Sequence, residues 1–214
     1  RIKTLESRLE KLEGAPAKTS LSAFNPALGL ALDTAYRQTH DRGSFLFRAA
    51  ELNIEAPIDP FLNAWTVING GAGGVEVEEM GLETPSLPYN LTVRGGRLFA
   101  NFGRMGHFHD DSLPVIDRPN SLDTFISGES QSDGVEASWL LPTDRFISAT
   151  LGMYNKIGGE NARAANNLQR GLNQFTYLGR LETALELGDD HRVDMGVSSA
   201  WTPKRPVTEN MATT

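Results

Sequence analysis

The chain has 214 residues, a formal net charge of -7, 39% hydrophobic and 22% charged residues, and no cysteine. An acidic balance without a Lys/Arg cluster excludes nucleic acid as a partner, and the missing cysteines exclude disulfides, thiolate metal sites and a cysteine nucleophile. No apolar run of about 18 residues is present, which excludes a transmembrane helix but not a membrane β-barrel, whose strands alternate and so average out in hydropathy.

Residues 1–14 read as a short helix. Ile2, Leu5, Leu9 and Leu12 recur at alternating steps of three and four, an a/d seam with charged flanks, and Gly14 and Pro16 stop it. At about two heptads it is marginal alone in water, so it must pair with copies of itself, as a trimer, or dock on a partner. The chain starts at Arg1 with no signal peptide and reads as mature or trimmed. Residues 15–24 form a linker.

From Asn25 to Thr214 the period changes to two. Leu28, Leu30, Leu32, Thr34 and Tyr36 alternate with small or polar residues, as do Leu52 and Ile54, and Leu91 and Val93. Phe61, Trp65 and Val67 share a face with Asn63. Further stretches follow with Val135, Ala137, Trp139 and Leu141, then Ile147, Ala149, Leu151 and Met153. Phe175, Tyr177, Gly179, Leu181 and Leu185 come next, and then Val193, Met195, Val197 and Trp201. Successive strand side chains point to opposite faces, so each stretch has one oily and one polar or small face. In residues 74–84, Val75 and Val77 are out of phase with Met80 and Leu82. A bulge at Glu78-Glu79 would restore the phase.

Short links are predicted at 57–60, 85–88, 142–144 and 187–190, and longer ones near 37–43, 69–74, 103–132 and 155–173. Short periplasmic turns alternating with longer outer loops are the layout of an up-and-down barrel. Aromatic residues gather near the strand ends, among them Phe45, Phe47, Phe61, Tyr89, Phe99, Phe102, Phe146, Tyr154, Phe175, Tyr177 and Trp201, as in a membrane girdle. The expected fold is all-β: an antiparallel, up-and-down transmembrane barrel portion of about nine strands spanning 25–214, with outer-membrane lipid outside and water inside. Single-chain bacterial barrels have even strand counts, so further strands are expected downstream.

Four stretches carry a family resemblance: GGVEVEEMGLET (73–84), LTVRGGRLFANFG (91–103), HFHDDSLPVIDRP (107–119) and SDGVEASWLLPTD (132–144). In wording and order they resemble the porin-like outer-membrane proteins labelled zinc-regulated TonB-dependent receptors. The resemblance implies a Gram-negative outer-membrane location and metal-linked expression. No segment reads as the plug domain that such receptors carry before the barrel.

Two sets of residues could carry chemistry. His107, His109, Asp110 and Asp111, with Asp117 as an extra, offer imidazole and carboxylate ligands suited to Zn²⁺; the alternative is a polar outer loop. Glu51, Glu55, Glu76 and Glu78, with Glu79 and Glu83, would line a water-filled lumen and concentrate cations, faced by Arg48, Arg94, Arg97 and Arg180. The alternative is an ordinary charged wall. The Asn/Arg/Gly-rich stretch 156–173 reads as a flexible outer loop. GGAGG (70–74) links two strands and is no phosphate cradle, and no enzyme motif is present.

The expected function is a channel or porin-like passage for small solutes or ions. The alternatives are a structural outer-membrane protein tethered through its helix, and a soluble β-rich metal-binding protein using His107 and His109.

Overall fold

The computed structural model describes residues 25–85, 87–109, 112–115, 117–159, 169–188 and 191–204. The expected helix with Ile2, Leu5, Leu9 and Leu12, the linker, and Asp110 and Asp111 lie outside these residues. The described chain is one nine-stranded antiparallel sheet in sequence order: β1 (Ala27–Thr39), β2 (Arg42–Asp59), β3 (Leu62–Gly71), β4 (Gly74–Glu83), β5 (Leu91–Phe99), β6 (Gln131–Leu140), β7 (Ile147–Tyr154), β8 (Thr176–Glu186) and β9 (Arg192–Trp201). Among the described residues β1 and β9 are edges.

The register sorts the side chains. Leu28, Leu30 and Leu32 stand opposite Ile54, Leu52 and Ala50, and Leu151 stands opposite Ala137 and Gly179. Cross-strand neighbours share a face, so these residues form one oily face. That face is bare: Leu28, Leu30, Leu32, Met80, Leu82, Leu151, Leu181 and Val197 are between 46% and 79% exposed. The opposite face carries Glu51, Glu78, Glu136, Thr150 and Arg180, all buried. Aromatic residues mark both ends of the bare face. The row Val135, Met153, Tyr177, Trp201 lies toward one end, and Leu91, Trp139, Ala149, Leu181 toward the other.

The bulge expected at Glu78-Glu79 is present. Glu79 pairs with Val67 and Val77 with Ile68, so Glu78 is the extra residue and the valines fall in phase with Met80 and Leu82. A second bulge leaves Arg48 extra in β2, where it meets Asp33 at 3.1 Å.

Three expectations are corrected. The links near 37–43 and 69–74 are not long: β1–β2 and β3–β4 close through two-residue turns, His40–Asp41 and Ala72–Gly73, because the strands run further than their oily stretches. Trp65 and Val67 lie on the charged face, and the bare face of β3 carries Ala64, Thr66 and Ile68. Arg97 lies on the bare face, bound to Asp133 opposite it at 2.8 Å, rather than on the charged face with Arg94 and Arg180.

The two long links are real, and the first does not stand away from the sheet. The described residues of 100–130 fold across the charged face and include a seven-residue helix, α1 (Asn120–Ile126), which the strand periodicity did not reveal. Leu98, Ala100, Ile126, Tyr154, Ile157 and Leu178 make a small apolar core beneath it, with Trp65, Phe102 and Leu122 against it. Aromatic rings lie over glycines on this sheet: Trp65 over Gly81, and Tyr154 over Gly134 and Gly152. A side chain at Gly152 would collide with the Tyr154 ring, so glycine there is a packing requirement.

Candidate functional site

The covered face holds two knots of charge that capture the β5–β6 connection. The first is Glu136, 2% exposed. It takes Arg94 Nε and Nη2 at 2.9 Å on Oε1, and on Oε2 the Asn101 backbone N–H at 3.0 Å and the Tyr154 hydroxyl. Arg94 also donates to the Phe99 carbonyl at 2.9 Å. A carboxylate this dry is tolerable only with such donors. Arg180 completes the capture. It is held by Glu182 at 2.9 Å and donates to the Gly103 carbonyl, while the Gly103 N–H reaches Ser198 Oγ at 3.1 Å. Arg94 and Arg180, expected to face the acidic residues, lie on the charged face, and part of their hydrogen bonding goes to the connection.

The second knot is His109. Its Nδ1 lies 3.2 Å from Glu78 Oε2 and 3.6 Å from Glu51 Oε2, and its Nε2 lies 3.1 Å from Glu79 Oε2. Regular alternation would send Glu78 and Glu79 to opposite faces. The bulge turns both toward His109, so the irregularity that repairs the oily phase also builds the site. Glu79 Oε1 accepts the Phe99 N–H at 2.7 Å, and the Phe99 ring stacks on His109 at 4.5 Å. Burial works against charging His109, but hydrogen bonds and charges from Glu78 and Glu79 outweigh it and push its pKa up to about 10. Without a metal, His109 is therefore an imidazolium clamped by carboxylates.

His107 behaves differently. Its ring meets Phe108 edge-on, its Nδ1 is buried without a hydrogen bond, and burial together with Arg180 and Arg94 holds its pKa below the ordinary value. Among the described residues, the metal-capable group whose ligand atoms lie within 4.8 Å of one another is Glu51, Glu78 and His109, without His107. Asp117 is exposed and lines a cleft instead. Glu76 lines the same cleft, and Glu55 is exposed on the charged face opposite Trp65.

The cleft, of about 1080 Å³, opens between the β3–β4 turn and the connection, with Glu76, Asp117, Asp123 and Glu129 facing Arg48 and Arg118. Arg118 organises the connection, donating to the Met105 and Phe108 carbonyls and to Glu129 at 2.8 Å. Sequence reasoning missed Glu136, Tyr154 and Arg118. Glu136 alone carried a signal, a single acid among Gly134, Ser138 and other small residues on the polar face of its strand.

The chain matches none of the protein families and none of the solved structures with which it was compared. It is similar to an uncharacterized protein of Aquifex aeolicus (strain VF5), 25% identical over 167 residues that cover 71% of this chain and 34% of the relative. The chain thus spans about a third of the length of the relative it matches.

Proposed function

We propose that this chain is part of the wall of an outer-membrane β-barrel that passes small solutes or ions, with cations preferred. The observation that carries this reading is the inverted sheet. A sheet packed for water hides its oily face and wets its charges. Here the leucines and valines of the bare face are open and Glu51, Glu78, Glu136 and Arg180 are buried. A barrel in lipid needs this arrangement, with an apolar exterior between aromatic girdles and a polar interior. The strands, of 8 to 18 residues, suit a requirement of about 9–11 for a tilted membrane strand. The acids lining the cleft at the turn end favour cations.

The test is conductance of the intact protein in planar bilayers. Discrete steps with a cation-selective reversal potential support the reading, and insertion without conductance removes it. A second reading has an observation of its own. The β5–β6 connection and the small core occupy the charged face, as in a filled, structural barrel. Insertion without conductance would select that reading.

A further inference from the structure

We propose that Glu51, Glu78 and His109 form a binding site for a divalent first-row transition cation, Zn²⁺ in the simplest case, with Glu79 as the outer partner of the histidine. This goes beyond passage of solutes, because the site is a fixed one at the junction of wall and connection.

The distances fit a shared ion. Around Zn²⁺ with bonds of about 2.1 Å, tetrahedral ligand atoms lie about 3.4 Å apart. The two edges from His109 Nδ1 are 3.2 Å to Glu78 and 3.6 Å to Glu51, and all three ligand atoms lie within 4.8 Å of one another. An ion at their centre needs little rearrangement. One imidazole and two carboxylates suit Zn²⁺, Mn²⁺, Fe²⁺ or Co²⁺ better than soft Cu(I), which prefers sulfur.

The surroundings match what a metal-bound histidine requires. Such a histidine donates its second ring N–H to a carboxylate, which fixes the tautomer and orientation of the ring. His109 Nε2 faces Glu79 Oε2 at 3.1 Å, and Glu79 is itself held by the Phe99 N–H at 2.7 Å. The Phe99 ring covers the imidazole face. The group is also shielded: side-chain exposure is 3% for Glu51, 5% for Glu78, 12% for Glu79 and 17% for His109. Metal binding to His109 displaces its proton, and the carboxylates of Glu51 and Glu78 then ligate the ion rather than the imidazolium. The sequence pattern HFHDD drew attention to His109, but its partners come from β2 and β4 rather than from its own loop. Bound metal would tie residue 109 to both strands and fix the connection across the charged face.

The experiment uses the intact protein in detergent micelles, stripped with chelator and titrated with Co²⁺, then with competing Zn²⁺. The expected result is one Co²⁺ per chain with a tetrahedral ligand-field spectrum, displaced by Zn²⁺. His109→Ala or Glu78→Gln abolishes that spectrum, Glu79→Gln weakens binding about 10–100-fold, and His107→Ala leaves it unchanged. Heat-modifiable migration on gels checks that each variant folds, and if His109→Ala fails, Glu78→Gln carries the same decision. No Co²⁺ uptake by the wild type, uptake unchanged in Glu78→Gln, or loss in His107→Ala overturns the site. A protein that conducts without taking metal overturns this site alone. One that takes metal without conducting overturns only the channel.

Discussion

Leu151→Arg separates a lipid-facing wall from a water-facing one. Leu151 is 68% exposed in β7. Its row, with Ala137 and Gly179, lies between the rows that carry Trp139 and the Tyr177–Trp201 pair. In water, an exposed substitution of this kind changes stability by less than about 0.5 kcal/mol. At the middle of a bilayer, arginine in place of an apolar residue costs about 2–4 kcal/mol. At about 1.36 kcal/mol per tenfold, that is roughly a 30- to 900-fold shift in the folding equilibrium. The assay is guanidinium unfolding from lipid vesicles, read by the fluorescence of Trp65, Trp139 and Trp201. Asp144→Arg, on an exposed residue of the β6–β7 turn, serves as control with an expected change below about 0.5 kcal/mol. A Leu151→Arg cost as small as that of the control would refute a lipid-facing bare face.

Other outcomes follow from the covered face. Tyr154→Phe leaves Glu136 one donor short and is expected to lower stability by about 1–3 kcal/mol in the same unfolding assay. Leu178→Ala, in the small core at 1% exposure, is expected to cost about 2–5 kcal/mol; a cost below 1 kcal/mol would show that the core does not hold the connection. Gly152→Ala forces the Tyr154 ring aside and is expected to destabilise as much as Tyr154→Phe or more. In chelator, His109 contributes stability because its pKa is raised from 6.5 to about 10. That contribution is complete below 6.5 and is lost as pH rises through about 10. Protease cleavage within 100–130 should therefore increase across that window, and the increase should vanish in Glu78→Gln/Glu79→Gln.

The strands and their bulge were legible because alternation is a local signal. Leu28, Leu30 and Leu32 announced their face, and the broken phase at Glu78-Glu79 announced an extra residue. Turn lengths were less legible: Thr39 and Arg42 pair although neither belongs to an oily stretch, so β1 and β2 run past their hydrophobic marks. Trp65 misled because an apolar residue on the charged face packs against the core beneath the connection, a tertiary contact that periodicity cannot carry, and Val67 is buried on the same face. The site was half legible. The His-x-His spacing pointed to His109, and the acidic strands pointed to Glu51 and Glu78. That one meets the others depends on a connection folding back across β4, which no spacing encodes.

The most direct measurement places a single spin-labelled cysteine in this cysteine-free chain, in lipid vesicles, at Leu30, Leu151 or Val197 and, for comparison, at Ser138, Ser148 or Ser198. Labels at the first three should collide with dissolved oxygen and be shielded from a water-soluble nickel chelate, and those at the serines should show less oxygen contact. Nickel contact at Leu30, Leu151 and Val197 equal to that of a label in open solvent would place water, not lipid, against the exposed leucines and valines.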